Sequence, residues 1–287
     1  MDWAKDGPTW PLSKHSRFML CKPHCWHVQE AGQGRLVLLI HGAGGATHSW
    51  RHLFPLLTHH VRVVAVDLPG QGFTQLGAQQ RCGLDPMAED LLSLCHTENI
   101  VPDVIIGHSA GAAIALRMAE MMHSTVPQII GINAALGMFE GLAGVLFPAL
   151  AKTIAMLPMA ANLFSATSSD HSVHRIIKGT GSTLPPEDLR LYRRLVADPT
   201  HVNATLQMMA QWNLEPLLAR LAQNDARTLF IAGDGDTAVP PATSQRAAAK
   251  MPDASCTILP GLGHLAHEED ADAVAKLILK FLNAVPQ

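Results

Sequence analysis

Charged side chains are scarce in this chain. They make up 16% of its 287 residues, against about 25% in an ordinary soluble domain. The formal net charge is −3 and no cluster of lysine and arginine stands out, which excludes the basic footprint of a nucleic-acid binder. Cysteine is sparse too: five, an odd number, which fits reduced thiols better than a disulfide framework. The opening Met1-Asp2-Trp3-Ala4-Lys5-Asp6 carries acids and no apolar h-region, so it does not read as a signal peptide, and cytoplasmic residence is the expectation. There is no repeat, no low-complexity tract, and no G-x-x-x-x-G-K-[ST] loop for a nucleotide phosphate. The most apolar stretch, Leu136 to Phe164, is cut by Pro148 and Pro158, short of the ~20 uninterrupted residues a membrane span needs.

What the chain does contain is three strand-to-loop motifs in a telling order. Val104-Ile105-Ile106 runs into Gly107-His108-Ser109-Ala110-Gly111, followed by the helix formers Ala112 to Met122. A G-x-S-x-G between strand and helix is a nucleophile elbow: a strained turn lifts the serine oxygen clear of the sheet, and the flanking small residues let strand and helix approach. Upstream, Leu36 to Ile40 leads into His41-Gly42-Ala43-Gly44-Gly45. Such a turn can aim backbone N–H groups at a developing oxyanion together with the residue after the nucleophile. The expected donors are Ala43 and Ala110, with Gly44 as the alternative to Ala43.

Downstream, Thr228 to Ala232 ends in Gly233-Asp234-Gly235-Asp236-Thr237-Ala238-Val239-Pro240, and Cys256 to Leu259 leads into Pro260-Gly261-Leu262-Gly263-His264. The chain order Ser109, Asp236, His264 is that of the α/β-hydrolases. His264 would take the serine proton while Asp236 orients the imidazole and stabilises its cation. Asp234 is the rival acid; Asp236 is preferred because it directly precedes Thr-Ala-Val-Pro. His41, His108 and His267 are the rival bases, the first two within motif frames and the third at the start of the last helix.

Alternating strands and helices predict an α/β-hydrolase fold with a mostly parallel central sheet flanked by helices. The expected elements are a hairpin over 16–30, strands at 36–40, 61–66, 103–107, 128–133, 228–232 and 255–259, and helices at 50–57 and 86–96. The core comprises 1–133 and 225–287, with a helical cap inserted at 134–224. Leu136 to Phe164 has Glu140 and Lys152 as its only charges. Its methionines Met138, Met156 and Met159, with Met208 and Met209 further on, suit a deformable apolar pocket; core packing is the competing role for each. His108, Trp50, Met138 and Phe139 are the expected pocket residues. Residues 141–164 are also the place where peripheral membrane contact would occur. Arg190, Arg193 and Arg194 are expected on a solvated helix face. Cys21, His24, Cys25 and His27 have the look of a zinc cluster, but 17–21 and 26–30 read as the two arms of a hairpin, where alternation would send Cys25 and His27 to one face and Trp26 to the other, rather than as a short loop converging four ligands, so no metal and no cofactor is expected.

Beyond the shared motifs, long segments of the chain resemble one branch of the superfamily. Met1 to Gly7 with Trp10-Pro11, Trp26 to Gln29, Thr47-His48-Ser49-Trp50-Arg51, Gly107 to Met118 and Gly261 to Glu269 are similar to the α/β-hydrolases of bacteriochlorophyll biosynthesis known as magnesium-chelatase accessory proteins. One departure from the wider superfamily is Gln71, where a histidine often follows the Pro-Gly turn. The resemblance implies work near magnesium insertion into protoporphyrin in a phototrophic bacterium: a hydrophobic small-molecule substrate, a tetrapyrrole among the options, and transient contact with magnesium chelatase. Either ester hydrolysis or a non-catalytic porphyrin-binding role follows from that resemblance.

Overall fold

The strand sequences already separate two faces. In the computed structural model, which describes residues 1–122, 125–137 and 159–283, the strands are β1 (Ser16–Cys21), β2 (His24–Ala31), β3 (Leu36–Ile40), β4 (Arg62–Val66), β5 (Val104–His108), β6 (Gln128–Ile132), β7 (Thr228–Gly233) and β8 (Ala254–Leu259). They form one sheet in the order β1-β2-β4-β3-β5-β6-β7-β8. The first two pairings, β1–β2 and β2–β4, are antiparallel and the rest parallel. β3 and β5 are buried at every position, as central parallel strands covered on both faces must be. Leu36, Leu38 and Ile40 with Ile105 pack into one apolar cluster, and Val37 and Leu39 with Val104 and Ile106 into the other, because successive strand side chains point to opposite faces.

Helices α1 (Trp3–Asp6), α2 (Leu53–Thr58), α3 (Leu84–Thr97) and α4 (Ala110–Met121) lie in the first half. Between β6 and β7 the described residues hold α5 (Ala160–Thr167), α6 (Asp170–Gly179), α7 (Pro186–Val196), α8 (Pro199–Gln211) and α9 (Glu215–Arg220). α10 (Ala242–Lys250), α11 (Ala266–Glu269) and α12 (Ala271–Asn283) follow. No helix among the described residues is long and apolar enough to cross a membrane.

Two expectations need correcting. The helix expected from Trp50 begins only at Leu53, after a 3-10 turn over Thr47–Trp50. Pro55 is the reason: a helix starting at Trp50 would require the N–H that proline lacks, whereas at the third position of α2 no intrahelical acceptor is left unserved. The arginines of α7 are not all on a solvated face. Only Arg190 is exposed; Arg194 lies 5.2 Å over the Trp10 ring and donates to the Asp6 carbonyl, and Arg193 donates to Ser168 Oγ.

Candidate active site

The elbow is built by two close approaches. A Cβ on Gly107 would stand 2.3 Å from the Gly111 backbone, and one on Gly111 would stand 2.1 Å from the Ile40 carbonyl oxygen, so both positions require glycine. Between them Ser109 has φ +52°, the left-handed side that side chains rarely adopt. This strained turn puts Ser109 at the carboxyl end of β5, directly before the amino terminus of α4. The N–H of Ala110 is one of the helix-end donors that no intrahelical carbonyl can serve.

Loops after β7 and β8 bring the other two residues to it. Ser109 Oγ stands 3.0 Å from His264 Nε2, and His264 Nδ1 donates to Asp236 Oδ2 at 2.7 Å. Asp236 is held from every side: Oδ2 also accepts from Asn133 Nδ2 at 2.8 Å, and Oδ1 accepts from the N–H groups of Ala238 and Val239. Asn133, which the sequence reading took only as the end of a strand, has a left-handed φ of +46° and also donates to the Gly263 carbonyl. It thereby ties the acid loop to the histidine loop.

The rivals are engaged elsewhere. Asp234 accepts from the Gly261 N–H. His41 donates from Nδ1 to the Gly42 carbonyl and accepts the Leu68 N–H on Nε2. His108 donates to the backbone carbonyl of His264 at 2.9 Å, and His267 pairs with Ser49 Oγ at 2.8 Å. Burial, reinforced at His267 by the Arg51 cation, holds both His108 and His267 well below the ordinary histidine range, so these rings are neutral packing elements.

Of the expected pocket residues, Trp50 is fully buried in the second apolar cluster, its ring 4.7 Å from that of His267. His108 is likewise buried. His108 ends β5 and Trp50 ends the 3-10 turn before α2, and both side chains are packed into the protein framework. Met138 and Phe139, like Met156, lie outside the described residues. Met208 is buried with its Sδ accepting from Gln71 Nε2, while Met159 and Met209 are exposed.

Of the proposed oxyanion donors, Gly44 has its N–H already bound to Gln71 Oε1 at 2.8 Å. Gln71 is buried, so the departure noted in the sequence has a structural consequence at this turn. The loop between α6 and α7 reaches into the same region. The Thr180 carbonyl accepts from the N–H groups of both Thr237 and His264, Ser182 Oγ accepts from Leu265 N–H, and Glu269 accepts from Thr183 N–H and Gly263 N–H. Further out, Arg51 is sandwiched between Asp188 of α7 and Glu268 of α11. Tyr192 OH and Ser49 Oγ also donate to Glu268. Burial opposes the Arg51 charge, but the two carboxylates raise its affinity for the proton further.

A second Ser-His-Asp chain exists. His27 Nδ1 donates to Asp67 Oδ2 at 2.7 Å and its Nε2 faces Ser16 Oγ at 2.9 Å. Burial alone would raise Asp67; the adjoining His27 and backbone N–H groups bring it down to about 2. Ser16 sits in a strand, with neither a left-handed turn nor a helix amino terminus behind it. The other members of the would-be zinc cluster also have partners: His24 pairs with Asp90, and Cys21 lies beside Ser93 and Thr97. Among the described residues, no group of three or more His, Cys, Asp or Glu is arranged to hold a metal ion.

Comparison with known proteins agrees with this architecture. A family model described as "Alpha/beta hydrolase family" matches residues 37–277. The chain is 41% identical over 276 residues to the "Magnesium-chelatase 30 kDa subunit" of Rhodobacter capsulatus, covering 95% of this chain and 96% of that one. It is 26% identical to a 2-hydroxy-6-oxononadienedioate/2-hydroxy-6-oxononatrienedioate hydrolase of Comamonas testosteroni, covering 89% and 90%. Among solved structures, a meta-cleavage product hydrolase from Pseudomonas fluorescens superposes with a TM-score of 0.77 at 21% identity, covering 93% of this chain and 97% of that one.

Proposed function

The chain belongs to the alpha/beta hydrolase family, and on that footing we propose that it is a serine hydrolase whose nucleophile is Ser109, base His264 and acid Asp236. The observation that carries this reading is the continuous hydrogen-bonded chain from Ser109 Oγ through His264 to Asp236, at 3.0 and 2.7 Å. Ser109 Oγ attacks an ester carbonyl carbon while His264 Nε2 takes its proton. The oxyanion is received by the N–H groups of Ala43 and Ala110. His264 returns the proton to the leaving alkoxide, and the acyl-serine is released by water through the same steps. Occupation of the Gly44 N–H by Gln71 supports Ala43 as the upstream donor. The segment 134–224 acts as the cap over this site.

The substrate class we propose is a hydrophobic carboxylic ester of the magnesium-porphyrin pathway, on the strength of the name carried by the 41% identical relative. The same name favours a second reading, a non-catalytic tetrapyrrole-binding protein that touches magnesium chelatase. Exposed Met159, Leu163 and Phe164 support contact of the cap with an apolar surface, a membrane or a partner.

A fluorophosphonate separates the two readings, because it phosphonylates only a serine that is activated beside a formed oxyanion site. Intact-mass spectrometry is expected to show one adduct, absent from Ser109→Ala and retained in Ser16→Ala. In Ser109→Ala the hydrolysis of p-nitrophenyl butyrate falls by about 10⁴-fold or more. A folded wild-type chain that takes no adduct sinks the hydrolase reading and leaves the binding one.

A further inference from the structure

The side chain of His201, on α8, reaches the turn that precedes the nucleophile by 65 residues in sequence and yet meets it in space. Its Nδ1 accepts the Gly72 N–H at 3.1 Å and its Nε2 faces the Gly44 carbonyl at 3.2 Å. An acceptor at Nδ1 leaves the ring proton on Nε2, so the ring donates to Gly44. The imidazole is 2% exposed. Burial pushes it down to about 4, against the pull of Asp198 and Asp67, so at neutral pH it has one ring proton and one tautomer.

The turn 42–45 needs such a grip. Its own closing bond runs from Gly45 N–H to the Gly42 carbonyl, which also accepts from His41 Nδ1. These bonds tie Gly42 to Gly45 and leave the peptide groups on either side of Gly44 to other partners. The Gly44 residue is held on one side by Gln71 Oε1, at its N–H, and on the other by His201, at its carbonyl. Ala43 lies between the Gly42 carbonyl, closed onto Gly45, and the doubly held Gly44, and its own N–H donates to no acceptor among the described residues. α8 presses on this region along one stripe. A Cβ on Gly70 would meet Ala204 at 2.5 Å, one on Gly44 would meet Thr205 at 3.5 Å, and Met208 Sδ accepts from Gln71. Spacings of three and four put these residues on one helix face.

We propose that His201 is a positioning residue for the reaction, orienting the oxyanion turn by its hydrogen bond to the Gly44 carbonyl. This rests on the hydrolase reading above. His201 touches no reacting atom; it acts through the backbone. Removing an oxyanion donor outright costs about 10²–10³ in kcat, and misaligning one costs less.

The test compares His201→Ala, His201→Gln and Gln71→Leu with the wild-type chain, using p-nitrophenyl butyrate turnover and the rate of fluorophosphonate labelling, with circular dichroism as the check on folding. His201→Ala is expected to lower kcat and the labelling rate by about 10- to 100-fold while KM changes little, the mark of an interaction felt in the transition state. His201→Gln, whose amide can donate to the Gly44 carbonyl, is expected to recover most of the loss. If His201→Ala does not fold, His201→Leu, which fills the same space and cannot donate to the Gly44 carbonyl, carries the test with the same kcat-against-KM signature and the same outcomes, and Gln71→Leu reports on the other hold of that residue. Folded His201→Ala with kcat within about twofold of wild type, a rise in KM alone, or His201→Gln no better than alanine overturns the proposal. A wild-type chain that neither labels nor turns over ester overturns the hydrolase reading itself, and this one with it.

Discussion

At Asp236 the carboxylate has four donors, His264, Asn133 and two backbone N–H groups, while Asp234 two residues earlier is exposed and caps only the Gly261 N–H. Asp236→Asn would set an amide N–H against the donors of His264 or Asn133. It is expected to lower kcat by about 10³- to 10⁴-fold, less than Ser109→Ala, whereas Asp234→Asn stays within about threefold. Steady-state hydrolysis of p-nitrophenyl butyrate ranks them, and the reverse order would move the acid to Asp234. Ser109, Asp236 and His264 were legible because each motif is a contiguous peptide whose own turn aims the side chain. Asn133, Gln71 and His201 were not. They act on Asp236 and Gly44 across 103, 27 and 157 residues; Gln71 alone stands out in its own stretch of sequence, as a departure at the Pro-Gly turn, and even there its partner cannot be read. Trp50 and His108 lie beside motifs, and local sequence does not show that their side chains are buried.

At the level of elements, the central strands could be read from their apolar runs, since β-branched residues with two-faced burial leave a dense signature, whereas β1 and β8 at the sheet edges are only partly buried and show it weakly. Helix starts were less legible: the position of Pro55 mattered more than the apolar spacing, and the short α1 has no periodicity to read. Packing leaves no room for a side chain where α4 meets β3 and β5. Gly111→Ala would drive a Cβ into the Ile40 carbonyl, backbone that cannot move aside. A loss of about 2–3 kcal/mol is expected in urea denaturation. Gly179→Ala, which meets nothing within 4 Å, is the control and should be neutral. Equal midpoints for the two variants would contradict the close-approach account.

Across the whole molecule, acid should unfold the protein earlier than its carboxylates alone would suggest. His41, His48, His108, His201 and His267 are buried and have lowered affinity for the proton, burial being the first cause in each. An unfolded histidine takes up a proton near pH 6.5 and the folded ring does not, so stability is complete above that pH and declines as pH falls toward the folded value, about 4 for His201. At pH 5.5 each strongly lowered histidine costs about 1 kcal/mol. Asp67, Asp90, Asp188 and Asp198, held low by cationic or hydrogen-bonding partners despite burial, add their losses only below about pH 4. The urea midpoint is therefore expected to drop clearly between pH 7.5 and 5.5, and an unchanged midpoint would contradict this account. The Thr180 carbonyl, shared by the loops that carry Asp236 and His264, has a consequence for protein engineering. A chimaera that exchanges everything between β6 and β7 for a relative's segment would, in the same stroke, discard the anchor shared by the loops of Asp236 and His264. The exchangeable block must leave 179–184 and His201 in the recipient.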